Sequence, residues 1–213
     1  MIRCLIADDH PIVRSGLRGL IQQHSDMAEP AEATTGAEAL EMVRTGTWDL
    51  VILDINFPDA SGIDVLRRIR HLRPDLPVLM LSAHAEEQFA MRSLRAGASG
   101  YLNKQSAADE LIVAIRRVLA GRRYVSGALA ERLAAALDPT ATEREPLETL
   151  SDREFQVLRL MGVGRTVSEI AESLHLSVKT VSTYRTRLLE KLSLKTTAQL
   201  AAFAIRAGLV DDA

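Results

Sequence analysis

Short apolar runs alternate with amphipathic helical segments over the first 120 residues, and this alternation constrains the fold more than any other feature. The apolar runs predict five strands, at residues 2–7, 28–33, 50–53, 78–81 and 101–102. Helical periodicity predicts five helices, at residues 11–22, 36–45, 62–71, 86–96 and 107–119. Because strands that alternate with helices are joined by crossovers, we expect an α/β domain with a five-stranded, doubly wound parallel sheet.

After residue 120 the alternation stops, and 213 residues are enough for two domains. Residues 138–146 read DPTATEREP, which is polar, bracketed by prolines and without periodicity. We therefore predict an α/β domain at 1–120, a linker at 121–148 and an all-α domain at 149–213. The Ala- and Leu-rich start of the linker is compatible with a short helix.

The composition excludes several classes of protein. Cys4 is the only cysteine, which rules out a disulfide framework and suits a reducing compartment. The sequence shows no signal-peptide pattern and no stretch near the roughly 20 apolar residues that cross a bilayer, so we expect a cytoplasmic protein without membrane contact. The net charge of −2 gives no global sign of nucleic-acid binding, but the last 65 residues carry nine Lys and Arg against seven Asp and Glu.

Three carboxylates follow strands of the predicted sheet. Asp8 and Asp9 follow the first strand, and Asp54 follows the third, just before a Pro/Asp/Ser/Gly turn. The carboxyl ends of parallel strands share one edge, where open α/β sheets bind their ligands. Carboxylates so close together repel unless a cation neutralises them, and an all-oxygen set suits Mg²⁺. Asp54 considered alone is explained equally well as a cap of the following loop.

A hydroxyl and an ammonium group join the same predicted edge. Ser82 closes the fourth strand and Lys104 follows the fifth. Carboxylates, a hydroxyl and a lysine around Mg²⁺ favour phosphoryl transfer, in which one carboxylate is the nucleophile while the cations offset charge on the phosphoryl oxygens.

The motifs ADDH, VILDINFPDASG, LMLSAH and GYLNK resemble, in order and spacing, the receiver domain of bacterial two-component response regulators. The resemblance implies a flavodoxin-like receiver fold. By this resemblance, the site consists of the phosphoacceptor Asp54, the metal-site acids Asp8 and Asp9, the backbone carbonyl of Asn56 as a further metal ligand, Ser82 and Lys104 as partners of the phosphoryl group, and Tyr101 as the switch aromatic. Ordinary sheet packing is the alternative role for Tyr101.

Asn56 stands two positions after Asp54, where phosphatases that use an aspartyl-phosphate usually have a second Asp as general acid. Because an amide cannot donate and retake a proton, we predict that the chain is not an enzyme, and a Mg²⁺-dependent phosphatase is the weaker alternative. Asn56 and His84 are both polar and suggest, as a hypothesis, fairly rapid loss of the phosphoryl group.

The helix predicted at residues 178–192 has two different faces. Its apolar arc consists of Val178, Val181, Leu188, Leu189 and Leu192. Its polar arc consists of Lys179, Thr183, Thr186, Arg187 and Glu190, with Ser182 at the edge. A recognition helix offers such hydroxyls and cations to bases and phosphates in the major groove. The alternative is a solvated polar face on a small helical bundle.

Residues 150–194, LSDREFQVLRLMGVGRTVSEIAESLHLSVKTVSTYRTRLLEKLSL, resemble the LuxR-type helix-turn-helix. The resemblance implies base contacts by Ser182, Thr183 and Thr186. It implies phosphate contacts by Lys179, Thr180, Tyr184, Arg187 and Lys195. Ser182 stands where the family commonly has Lys, and Tyr184 where it commonly has His, so specificity is expected to lean on hydroxyls and DNA shape. Arg185 falls inside the apolar arc, and the sequence offers no account of it.

Together the two resemblances imply the NarL/FixJ class of response regulators. A sensor histidine kinase would phosphorylate Asp54, and the modified receiver would switch dimerisation and the binding of double-stranded promoter DNA. The apolar last helix offers a surface for a homodimer on DNA, made of Leu200, Ala201, Phe203, Ala204 and Ile205. A protein that binds DNA independently of phosphorylation is the main alternative.

Overall fold

The computed structural model describes residues 1–82, 87–127, 129–131, 146–174, 176–207 and 209–210. The chain divides into two compact units, Met1–Asp138 and Pro139–Ala213. His84 and residues 132–145 of the predicted linker lie outside the described residues. The exact limits of the domains, 120 and 149, therefore stay a prediction. Within the described part of the chain, no helix has the length and apolar character needed to span a membrane.

The first unit contains the predicted parallel sheet. Its strands are β1 (Cys4–Ala7), β2 (Ala31–Ala33), β3 (Leu50–Asp54), β4 (Val78–Ser82) and β5 (Gly100–Asn103). All neighbouring strands are parallel, in the order β2-β1-β3-β4-β5. The predicted α/β class is thus confirmed, and the strand order changes direction between β1 and β3. The carboxyl ends of these two strands flank the crevice where such sheets bind ligands.

Five of the helices that the structure describes in the first unit connect its strands or follow the last strand. They are α1 (Pro11–Gln22), α2 (Gly36–Thr45), α3 (Gly62–Leu72), α4 (Glu87–Arg95) and α5 (Ala107–Leu119). Helix α1 packs against α5, and α2 packs against α3. The predicted bounds of α1, α2 and α5 agree with the structure, because Pro11, Thr35 and the apolar stripe around Leu111 mark them in the sequence.

The chain after α5 adds a short pairing to the edge of the sheet. Tyr124 forms a parallel bridge with Gly100, and its carbonyl accepts a hydrogen bond from the Tyr101 amide. A side chain on Gly100 would lie 2.9 Å from the Tyr124 carbonyl oxygen, which explains the glycine there. Part of the segment predicted as linker is therefore packed on the α/β unit.

The second unit is helical. A 3₁₀ turn at Pro146–Thr149 precedes α6 (Asp152–Gly162), α7 (Val167–Ser173), α8 (Val178–Lys191) and α9 (Thr197–Arg206). Capping boxes at Ser151 and Thr166 begin α6 and α7 as their sequence pattern indicates. Leu200 and Ala204 of α9 are fully buried, so these two residues belong to the core and not to an exposed dimer surface, whereas Ile205 is half exposed.

Candidate functional site

Asp8, Asp54 and Lys104 converge at the carboxyl edge of the sheet. Lys104 Nζ lies 2.7 Å from Asp8 Oδ2 and 3.1 Å from Asp54 Oδ2. Both carboxylates are almost completely buried, and these two oxygens have no other hydrogen-bond donor within the described part of the chain. The other Asp54 oxygen, Oδ1, accepts a hydrogen bond from the Ile55 amide at 2.8 Å. One Asp54 oxygen is therefore held by the backbone, and the other faces Lys104.

Burial and neighbouring charges shift the pKa values of Asp54 and Lys104. Desolvation, reinforced by the neighbouring Asp8 charge, raises the pKa of Asp54 to about 7, although Lys104 acts in the opposite direction. Burial tends to lower the pKa of Lys104, but the Asp54 and Asp8 carboxylates outweigh burial and raise that pKa. Among the described residues, Asp8 and Asp54 thus share Lys104, and additional positive charge would stabilise the ionised form of Asp54.

The donor set at this edge suits a divalent cation. Ligand atoms of Asp8, Asp9, His10 and Asp54 lie within 4.8 Å of one another. Carboxylate oxygens are the ligands that Mg²⁺ prefers. The buried Asp8 and Asp54 oxygens next to Lys104 lack further donors among the described residues, as expected of atoms that face a cation. The carboxylates present therefore fit Mg²⁺.

Two neighbours that sequence reasoning missed hold the acids in place. His10 Nδ1 lies 2.6 Å from Asp9 Oδ1, and the His10 amide donates to Asp8 Oδ1 at 2.8 Å. Arg14 of α1 donates to the Asp8 backbone carbonyl at 2.8 Å and to Glu32 at 2.9 Å. His10 had a signal in the sequence, because it directly follows the acid pair. Arg14 had none, since a lone arginine on a helix is ordinary.

The remaining predicted receiver residues lie around this centre. Ser82 ends β4 with its side chain buried, and its carbonyl accepts from the Lys104 amide at 2.6 Å. Tyr101 is buried in β5. Asn56 lies in the turn after β3, where it pairs with Ser61. The fold therefore brings Asp8, Asp54 and Lys104 into contact and sets Ser82 on the neighbouring strand end.

The predicted recognition helix is α8, and its polar arc is solvent-accessible. Lys179, Thr183, Thr186 and Arg187 are exposed, as is Lys195 beyond the end of the helix. Thr180, Ser182 and Tyr184 are half-buried, while Val181 and Leu188 are buried in the helical core. Val178 was expected to pack, but it is 52% exposed because it is the first helical residue and precedes the packed part of the arc.

Several hydroxyls of this surface are bonded to their own helix. Thr183 and Thr186 donate to the carbonyls of Lys179 and Ser182, at 3.0 and 3.1 Å. The Ser177 hydroxyl caps α8 by accepting from the Thr180 amide at 3.0 Å. A threonine hydroxyl that donates within the helix keeps its lone pairs, so Thr183 and Thr186 can still accept hydrogen bonds from base amino groups.

Lys191 fixes α8 to the start of α6, a contact the sequence did not indicate. Its ammonium lies 2.6 Å from the buried Glu154 carboxylate and donates to the Thr149 carbonyl at 3.1 Å. Burial alone would raise the pKa of Glu154, but the Lys191 hydrogen bond and the Ser151 amide lower it below its usual value. Arg185 is half-buried, and its Nε has no hydrogen-bond acceptor among the described residues.

Comparison with known proteins follows the same division of the chain. Residues 4–116 match the response regulator receiver domain, and residues 148–204 match the bacterial regulatory proteins of the luxR family. The response regulator UvrY of Escherichia coli is 37% identical over 210 residues, which cover 98% of this chain and 96% of UvrY. The response regulator GacA of Pseudomonas aeruginosa is 35% identical over 213 residues, the full length of both chains.

A solved structure of RcsB from Salmonella enterica, bound to promoter rprA in the presence of the phosphomimetic BeF₃⁻, superposes with a TM-score of 0.65. It is 25% identical and covers 95% of this chain and 97% of RcsB. The fold and its acidic edge define a phosphorylation-controlled DNA-binding regulator. The chain belongs to the response regulators of the NarL/FixJ class, with a receiver domain and a LuxR-type helix-turn-helix.

Proposed function

We propose that Asp54 accepts a phosphoryl group from a sensor histidine kinase, and that this modification controls binding of the C-terminal domain to double-stranded promoter DNA. The observation that supports this assignment best is the contact of Lys104 with both Asp8 and Asp54 in a buried acid cluster. Ionisable groups perturbed by burial and by a specific charge partner cluster at functional sites. Here two buried acids share one cation, which leaves the cluster suited to a further cation and to a transferred anion.

The chemistry assigns one role to each group. An Asp54 oxygen attacks the phosphorus of the donor, an acyl phosphate forms, and the bond between phosphorus and donor breaks. Asp8, Asp9, Asp54 and the Asn56 carbonyl would hold Mg²⁺, which would supply positive charge against the phosphoryl oxygens. Lys104 then pairs with a phosphoryl oxygen, and Ser82 donates a hydrogen bond to another.

The output lies in α8. Ser182, Thr183 and Thr186 would contact bases, while Lys179, Thr180, Tyr184, Arg187 and Lys195 would contact phosphates. We propose that two copies bind paired half-sites as a homodimer, since one small domain offers few cations for counterion release. The structure of RcsB bound to promoter DNA in the presence of a phosphomimetic supports the binding of promoter DNA, and the dimer stays part of the proposal. A regulator of this kind works where the DNA is, which for this class is the cytoplasm.

The chain acts as a switch and not as a turnover enzyme in this proposal. Asn56 supplies no acid or base two residues after Asp54, so the only hydrolysis expected is the fairly rapid loss of the phosphoryl group that Asp54 itself carries.

Phosphate incorporation from a small-molecule phosphodonor with Mg²⁺, measured by intact mass, tests the acceptor. We expect one phosphoryl group on the wild type and none on Asp54→Asn. The matched control is Asp49→Asn, an aspartate that directly precedes the same strand and bonds to Arg3, and it should be modified like the wild type. Equal modification of Asp54→Asn would overturn the assignment.

A further inference from the structure

The turn that follows Asp54 is closed by its own backbone. Asn56 pairs with Ser61, the Phe57 amide donates to the Ala60 carbonyl at 3.2 Å, and the Gly62 amide donates to the Ile55 carbonyl at 2.7 Å. The turn behaves as a small closed unit because its two sides are bonded to each other. A displacement of the tip of the turn should therefore also displace Asn56 at its base.

Asp59, at the tip, bonds to a helix that is distant in sequence. Its Oδ1 accepts from the Gly36 amide and its Oδ2 from the Ala37 amide, each at 2.9 Å. These amides belong to the first turn of α2, where backbone N–H groups lack partners within the helix and favour a negative charge. Both carboxylate oxygens are thus engaged, and Asp59 serves as an anchor.

Helix α2 already has a local cap, so Asp59 is more than a substitute for one. The Thr35 hydroxyl accepts from the Glu38 amide, and the Glu38 carboxylate accepts from the Thr34 amide at 2.7 Å. The contact made by Asp59 adds a bond between the α2 terminus and the turn after β3. Loss of the Asp59 contact should therefore affect the turn as well as the helix.

Tight packing fixes the other end of this anchor. A Cβ at Gly36 would lie 2.7 Å from Val65 Cγ2 and 3.2 Å from Ala60 Cβ. The α2 terminus therefore abuts both α3 and the turn itself, and only glycine fits there without displacement. The amides that hold Asp59 thus have a defined position relative to the turn.

We propose that Asp59 is a positioning residue for the Mg²⁺ site, and that it sets the place of the Asn56 carbonyl by anchoring the turn to α2. This inference rests on the proposed function, in which that carbonyl is a metal ligand. A backbone carbonyl has no side-chain torsions, so its position is determined by the turn alone. Groups that orient metal ligands commonly govern affinity although they do not touch the ion.

The test compares the Mg²⁺ dissociation constant, measured by calorimetry, with the melting temperature of the metal-free full-length chain. Asp59→Ala removes the anchor, and Asp59→Asn keeps one carbonyl acceptor. Glu38→Ala is the matched control, because it removes one negative charge and a capping contact at the same helix end without touching the turn.

We expect Asp59→Ala and Glu38→Ala both to lower the melting temperature. Only Asp59→Ala should weaken Mg²⁺ binding, by about five- to tenfold. This loss of affinity is smaller than most losses caused by removing a group bonded directly to a metal ligand. Asp59→Asn should recover part of the affinity.

Unchanged Mg²⁺ affinity in Asp59→Ala, with binding that still depends on Asp9, would make Asp59 an ordinary helix cap and overturn this inference alone. Affinity lost equally in Glu38→Ala would overturn it too, since charge or helix stability would then be the cause. A wild-type chain whose Mg²⁺ binding does not respond to Asp9→Asn would overturn the proposed metal site together with the inference.

Discussion

The acid cluster of the receiver and the polar face of α8 are both polar, yet they are built in opposite ways. Asp8 and Asp54 are buried and share Lys104, so their geometry exists before any ligand arrives. Lys179 and Thr183 are exposed, and the Thr183 hydroxyl donates to the Lys179 carbonyl of its own helix. The charges of the acid cluster interact with one another in the free protein. The polar groups of the α8 face are expected to form their main interactions only when DNA is bound.

This difference predicts how each region responds to mutation. Loss of a charge in the acid cluster should change the stability of the free protein, because desolvated charges depend on one another. Loss of a charge on the α8 face should leave stability nearly unchanged and alter only DNA binding. Lys104→Met and Lys179→Ala examine this contrast, and Lys191→Met examines an ion pair of α8 that lies outside its polar face. They follow from the largest expected effect to the smallest.

Lys104→Met should lower the free energy of unfolding of the metal-free protein by about 3 kcal/mol, because it leaves two buried carboxylates without their cation. Denaturant unfolding of the full-length chain measures this change. The matched control, Arg187→Met on the exposed face of α8, should stay within about 0.5 kcal/mol of the wild type. Equal stability of Lys104→Met and the wild type would contradict the description of the cluster as preorganised.

Lys191→Met should destabilise the helical unit by about 1 kcal/mol near neutral pH, since the partly exposed ammonium stabilises the buried Glu154 carboxylate. Because the folded pKa of Glu154 is lowered, its contribution is present above the ordinary pKa of 4.5 and is lost as the pH falls through the folded value. The difference in stability between the variant and the wild type should therefore disappear at acidic pH. Calorimetric melting as a function of pH measures it, and a difference independent of pH would exclude this pair as the cause.

Lys179→Ala should weaken promoter binding a few-fold and reduce the slope of log K against log salt concentration by about 1, as expected for one lost phosphate contact. Thr183→Val serves as its counterpart, since loss of a base contact should reduce discrimination between sequences while the salt slope is kept. Titrations at several salt concentrations separate these effects. An unchanged salt slope in Lys179→Ala would show that Lys179 does not contact a DNA phosphate.

The sequence was sufficient to predict the fold and to predict that Asp8, Asp54 and Lys104 lie close together. Strand ends of a parallel sheet meet at one edge, so Asp8, Asp54 and Lys104 could be brought together from their order alone. The bond from Arg14 to the Asp8 carbonyl and the anchor made by Asp59 could not. Each depends on how a helix and a turn pack in three dimensions, and no spacing in the sequence records that packing.

The same limit explains the errors in the helical unit. Helical periodicity assigns Val178 and Leu200 to apolar faces but does not say which part of a face meets another helix. Val178 is half exposed because it begins α8, and Leu200 is buried because α9 packs against α6. An apolar arc therefore predicts contact with something, and only the structure identifies the partner.

The central claim is that charge added at Asp54 governs DNA binding by α8. The most direct measurement is the affinity of the full-length chain for its genomic binding fragments, with and without a small phosphodonor and Mg²⁺. We predict that the phosphodonor tightens binding by the wild type and has no effect on Asp54→Asn, whose basal binding persists. Equal binding by all four samples would contradict the phosphorylation switch and leave a DNA-binding protein that does not depend on it.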